Sequence, residues 1–126
     1  MEARQLNTIQ KRFKLNNVFA QGEVDPCGAR SQYAIVRPCN DALNTGEMIA
    51  VIQFQHGPRD VAGSVNGVMD VDLLEMVRDR LSAFQDGKLA CPDNAQALIH
   101  VEAALLYLNK RVEDRHDRGV FGTVQA

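Results

Sequence analysis

Apolar residues recur at helical spacing through the second half of the chain. Leu74, Val77, Leu81 and Phe84 stand three, four and three positions apart. Leu98, Val101, Leu105, Leu108 and Val112 stand three, four, three and four apart. Such spacing places each set on one face of a helix. Asp70 is positioned to cap the first helix, with Asp72 in its first turn complementing the dipole, and Asp86-Gly87 breaks it. The second opens at Pro92 or Asp93, because proline is tolerated in a first turn. It closes on Arg115, Arg118 and Gly119, the basic last turn and glycine of a helix C-terminus. Its stripe is narrow, as in a coiled coil. The short link between the two predicts an antiparallel hairpin.

The first half follows a different period. Over Glu47 to Gln55, Met48, Ala50, Ile52 and Phe54 alternate with Ile49 and Val51. Apolar residues on both faces predict a central strand or one covered by a partner. Ser31 to Arg37, with Tyr-Ala-Ile-Val at its centre, reads as a second strand stopped by Pro38. The turn-forming stretch Asn40 to Gly46 joins the two as a hairpin. Phe19 to Arg30 carries Gly22, Asp25-Pro26 and Gly28 and predicts turns. Met1 to Lys14 is polar and basic, with Ile9 and Phe13 four apart, and predicts a short helix or a mobile arm. The expected fold class is α+β: a small antiparallel β-sheet followed by a C-terminal antiparallel helical hairpin. One domain is expected, β-rich over 15–60 and hairpin over 69–118.

Composition narrows the function. With 126 residues the chain has the length of one domain, small enough to gain from oligomerising. A formal net charge of -2 argues against binding a nucleic-acid polymer, which needs a surplus of Lys and Arg against the phosphates. It leaves room for a small anion, which needs only a few local arginines. Cys27, Cys39 and Cys91 are scattered and odd in number, which favours a reducing cytoplasm over a disulfide framework. The N-terminus lacks an apolar stretch of signal-peptide length. The run Met48 to Ile52 is far too short to cross a bilayer.

The candidate chemistry is sparse. Cys27 and His56 are a nucleophile and a base, but no glycine-bracketed motif surrounds the thiol, and ordinary loop residues are the better reading. His56, His100 and His116 share no helix-face spacing of three or four, so no metal is expected. No phosphate-loop glycine pattern precedes a helix, and no cofactor is implied. Arg111 and Asn94 lie at opposite ends of the second helix, roughly 26 Å apart at the standard rise. One small ligand cannot touch both in one chain, so their joint use requires a second chain. The plainer reading pairs Arg111 with Asp114 on the surface and gives Asn94 to the helix cap. Phe84 either completes the apolar stripe or exposes its ring for stacking a base. Arg30 and Arg59 follow flexible turns and are either phosphate contacts or solvated loop charges.

A longer pattern runs through these residues. It comprises Val65-Asn66-Gly67-Val68, Leu73-Leu74, Arg80-Leu81, Phe84-Gln85, Ala90-Cys91, Asn94-Ala95, Ala97-Leu98, Glu102-Ala103-Ala104-Leu105, Leu108-Asn109-Lys110-Arg111 and Arg118-Gly119-Val120 with Gly122-Thr123. This order resembles the phage Thoeris anti-defence sponges, which share a helical-hairpin domain with the phage anti-CBASS sponges. The hairpin resemblance covers about half of the chain. The sheet segment Gly22 to Gln55 and Gly57-Pro58 resembles the fuller Thoeris-type members. Tyr107, where similar hairpins often carry tryptophan, and His100-Val101, in place of a more polar pair, depart from the pattern.

The resemblance implies a protein that is not an enzyme. It implies binding and sequestration, without degradation, of cyclic nucleotide immune signals: cyclic ADP-ribose isomers and, in some members, cyclic di- and trinucleotides. By the same resemblance Phe84 stacks adenine, Asn94 and Arg111 contact the ribose–phosphate part, and Arg30 reaches the pyrophosphate. A second ligand site would fall at Arg59 and Asn66. A homodimer or an assembly of dimers in the host cytoplasm is expected, with no membrane partner. The alternative is a small helical-hairpin adaptor with no nucleotide ligand. A nucleotide hydrolase is a third reading.

Overall fold

The computed structural model describes residues 3–39 and 46–126. Within them lie β1 (Arg4–Gln5), β2 (Asn17–Val24), β3 (Arg30–Arg37), β4 (Glu47–Gln53), α1 (Asp70–Gln85) and α2 (Pro92–Asp117). The chain divides into two compact units, residues 1–68 and 69–126. The fold class is α+β, an antiparallel sheet followed by a helical hairpin.

The first unit is a meander in the order β1-β2-β3-β4. The expected β3–β4 pair forms, with Tyr33 opposite Ile52 and Ile35 opposite Ala50. The expected connecting turn at residues 40–45 lies outside the described residues. Two expectations are corrected. Residues 4–5 form a strand on β2, with Arg4 opposite Ala20, rather than a helix or a mobile arm. Phe19 to Val24 continues the strand β2 rather than forming turns. Gly22 misled the reading because it sits where the β2–β3 register slips between Gln21 and Val24, at φ +78°. A glycine of that conformation inside a strand marks a bulge, not an end. The true turn follows, where Asp25 N–H donates to Ala29 O and Gly28 N–H to Asp25 O.

A second bulge corrects the faces of β4. Ala50 opposes Ile35, but Met48 opposes Val36, so Ile49 is the extra residue. Met48 therefore leaves the face of Ala50 and Ile52 and joins Ile49 and Val51. These three are each about half exposed. On the other face Tyr33 meets Phe54 edge-on, with ring centroids 5.5 Å apart. Among the described residues the buried side chains of this unit are small: Ala20, Ala34 and Ser31.

After β4 the chain returns along the sheet edge. Phe54 bridges Val68, and His56 bridges Val65. The intervening loop is wired internally. Asn66 Oδ1 accepts from Asp60 N–H and from Gln55 Nε2, while its Nδ2 donates to Asp60 Oδ1. Asp60 takes the left-handed conformation, φ +60°, which Asp tolerates better than most residues.

The second unit is the hairpin. Met69, not Asp70, is the N-cap of α1. Asp72 reaches back from the first turn and accepts from Met69 N–H at 2.8 Å. At α2 the cap is Cys91, whose Sγ accepts from Asn94 N–H at 3.4 Å. The far end of α2 closes as its sequence predicts. Arg118 is the C-cap, Gly119 adopts φ +74°, and Val120 N–H donates back to Arg115 O. Leu74, Leu81, Leu98, Val101, Leu105 and Leu108 are partly covered between the helices, while Val77 and Val112 lie on the rim.

Candidate functional site

The tip of the hairpin gathers the residues best suited to a ligand. Phe84 ends the α1 stripe, is half-buried, and carries the Arg80 guanidinium 5.3 Å from its ring centroid. Gln85 beside it accepts from Cys91 N–H through Oε1. Asn94 Nδ2 donates to Leu89 O at 3.0 Å. That bond fixes the amide plane and leaves Oδ1 for another donor. Phe84 at the end of α1 and Asn94 at the start of α2 thus lie on either side of one short connection.

Arg111 lies near the other end of α2 and is exposed. The expected surface pair with Asp114 does not form. Asp114 binds Arg118 at 2.9 Å, one turn on, and no carboxylate among the described residues lies in ion-pair reach of Arg111. Arg111 stands seventeen helical positions beyond Asn94, roughly 26 Å. A single hairpin does not bring the two to one small ligand.

Arg30 opens β3, is half-buried, and donates from Nη1 to Gly22 O at 3.1 Å across the β2 bulge. Arg59 is exposed and donates from Nη2 to Gly67 O at 3.1 Å. Asn66 holds the 55–67 loop together through both ends of its amide. The three therefore have architectural bonds within the sheet unit.

Cys27 and His56 form no nucleophile–base pair. Cys27 is an exposed thiol on the β2–β3 turn, with no hydrogen bond to His56. His56 instead meets Asp25 through Nδ1, with both side chains largely buried. Sequence reasoning missed this contact because it joins a turn to a strand end across the sheet.

A groove of about 690 Å³ runs between the helices, walled by Val71, Leu105, Leu106 and Val112. Arg78 spans it, donating to Glu102 at 2.9 Å and to Glu75 at 3.3 Å. Its guanidinium is held above the ordinary arginine value, first by the hydrogen bond to Glu102 and then by that to Glu75. Phe84, Asn94 and Arg111 all lie outside this groove.

These features define a small sheet-plus-hairpin protein with an aromatic and an amide at the hairpin tip and an uncompensated arginine at its far end. Residues 47–113, more than half of the chain, match the Acb2/Tad1 hairpin domain, and the chain belongs to that family, the phage anti-defence sponges. It is also 47% identical over 75 residues to Thoeris anti-defense 1 of Bacillus phage SBSphiJ7. The match covers 60% of this chain and 52% of that protein, so the shared region spans about half the relative's length.

Proposed function

We propose that this protein blunts Thoeris immunity by binding cyclic ADP-ribose isomers and holding them intact. The observation that carries the reading is the placement of Phe84 and Asn94 at the tip of the hairpin, in a chain 47% identical over 75 residues to a protein named for Thoeris anti-defence. A sponge needs an aromatic platform for a base and charge-assisted donors for phosphate. Phe84 supplies the platform. Asn94 and Arg111 supply the ribose–phosphate contacts, and Arg30 reaches the pyrophosphate. Because Arg111 stands so far from Asn94 along α2, the pocket is shared between two chains. The protein works as a homodimer or an assembly of dimers, without catalysis, in the host cytoplasm. Arg59 and Asn66 mark where a second site for cyclic di- or trinucleotides would lie.

The test is a thermal-shift screen against cyclic ADP-ribose isomers and cyclic di- and trinucleotides, with Phe84→Ala and Arg111→Ala beside the parent chain. The parent should gain several degrees, as binding to the folded state alone requires, and both variants should lose the gain. Heat release of the bound nucleotide should return it unaltered, whereas altered product would mean a hydrolase. The hairpin groove, apolar and unfilled within one chain, favours one competing reading, a protein adaptor. No shift with any nucleotide would favour that reading.

A further inference from the structure

Two arginines stand two residues apart on α1 and have opposite surroundings. Arg78 is neutralised by Glu75 and Glu102. Arg80 faces another way, since positions two apart do not share a helix face. It is exposed, and no carboxylate among the described residues lies within ion-pair distance of it. Its guanidinium rests over the Phe84 ring, 5.3 Å from the centroid. The spacing explains the contact. Helical side chains lean toward the N-terminus, so the ring of Phe84 tilts back over the turn that carries Arg80.

The usual structural duties of a helical arginine do not account for it. Arg80 makes no ion pair to α2, and α1 has no basic residue in its last turn, so Arg80 does not serve the helix dipole. The ring contact keeps the cation beside an aromatic without consuming its N–H fork. A planar fork of that kind matches a phosphate, with two parallel N–H···O bonds.

From this juxtaposition we infer that Arg80 is a further ligand-binding residue, pairing with a phosphate of the nucleotide whose base stacks on Phe84. The inference rests on Phe84 acting as the stacking platform proposed above. One turn of α1 then reads both chemical features of the ligand: the apolar ring takes the base and the cation takes the anion. Contact with Phe84 restricts the guanidinium before ligand arrives, which lowers the ordering cost of the phosphate contact.

The test is calorimetric titration with each of the cyclic ADP-ribose isomers at low and high salt. It compares the parent chain, Arg80→Ala, Arg80→Lys and Phe84→Ala, with ligand-free unfolding temperatures as the folding control. Arg80→Ala should weaken binding about tenfold or more, the scale of a charge-assisted hydrogen bond. Arg80→Lys should recover part of that loss. The decisive readout is salt: affinity should fall less steeply with salt in Arg80→Ala than in the parent, because one fewer screened contact remains. A structural prop for the ring would leave that dependence unchanged. Parent-like affinity in Arg80→Ala, or an unchanged salt dependence, overturns the role of Arg80 while leaving the Phe84 site standing if Phe84→Ala abolishes binding. Absence of binding of every cyclic ADP-ribose isomer by the parent overturns the sponge reading and this inference together.

Discussion

Cys91 caps α2 with a poor acceptor. Its thiol takes the Asn94 N–H at 3.4 Å, in a position where a hydroxyl or carboxylate oxygen binds more strongly. Cys91→Ser should therefore raise stability by about 0.5–1 kcal/mol, read as a higher unfolding midpoint in urea. A lower midpoint would show that the sulfur serves packing instead. Gly67 is constrained from the opposite direction. A Cβ there would meet the Gln53 carbonyl oxygen and lie 2.7 Å from the Phe54 carbonyl carbon. Gly67→Ala should cost about 2 kcal/mol or more and speed amide exchange at Gln55 and Val68 first, because the Val68 strip is displaced from the β4 edge. Uniform exchange with no loss of stability would contradict it. At this scale the sequence is a partial guide. It announced a helix start near Asp70 and Asp72, yet Met69 is the cap, because the Asp72 carboxylate folds back to Met69 N–H. It placed Met48 with Ala50, and one extra residue at Ile49 reversed the face. Caps and bulges are decided by single hydrogen bonds, which residue periodicity does not encode.

Among the elements, the hairpin was legible and half of the sheet was not. Both helices carry unbroken 3-4 spacing with polar or proline starts, so local propensity and packing agree. β2 carries a glycine in its middle and a proline-containing turn behind it, and its partner β3 overrode both signals. Arg78 is the main polar tie between the two helices, reaching Glu102 on α2 and Glu75 on its own helix. Arg78→Ala leaves the two glutamates without their shared cation. The expected result is a lower melting temperature at low salt, a smaller loss at high salt, and partial rescue when Glu102→Gln is added. Equal losses at both salt levels would mean that the aliphatic stem, not the charge, matters. The sign with pH follows from the raised guanidinium value. A group raised on folding by ionised carboxylates stabilises below its unfolded value, as long as those carboxylates stay ionised, and ceases to as pH climbs through the folded one. The tie therefore contributes undiminished across the neutral range.

For the whole molecule the decisive fact is how little one chain buries. Neither helix contains a buried residue, and among the described residues the sheet unit buries only small ones. Met76, Ile99, Leu106 and Tyr107 on the hairpin stay more than half exposed, as do Met48 and Ile49 on β4. Exposed apolar side chains in such number on each unit suit an association face. Leu106 separates the possibilities, because it is 71% exposed in one chain. In a monomer, Leu106→Glu should change stability by no more than about 0.5 kcal/mol. In an assembly it should lower the melting temperature, abolish its rise with protein concentration, and shift the mass in light scattering to a smaller species. Asn94 and Arg111 are roughly 26 Å apart along one helix, so a pocket using both takes one from each chain. Asn94→Ala and Arg111→Ala should each lose cyclic ADP-ribose binding alone. Mixed and allowed to exchange subunits, they should regain a fraction of it, because a mixed dimer holds one pocket with both residues intact and one with neither. Recovery of binding on mixing, with the parent's affinity at the recovered sites, requires a shared pocket. Two variants that stay inactive together after exchange is demonstrated would place Asn94 and Arg111 in separate sites or in none.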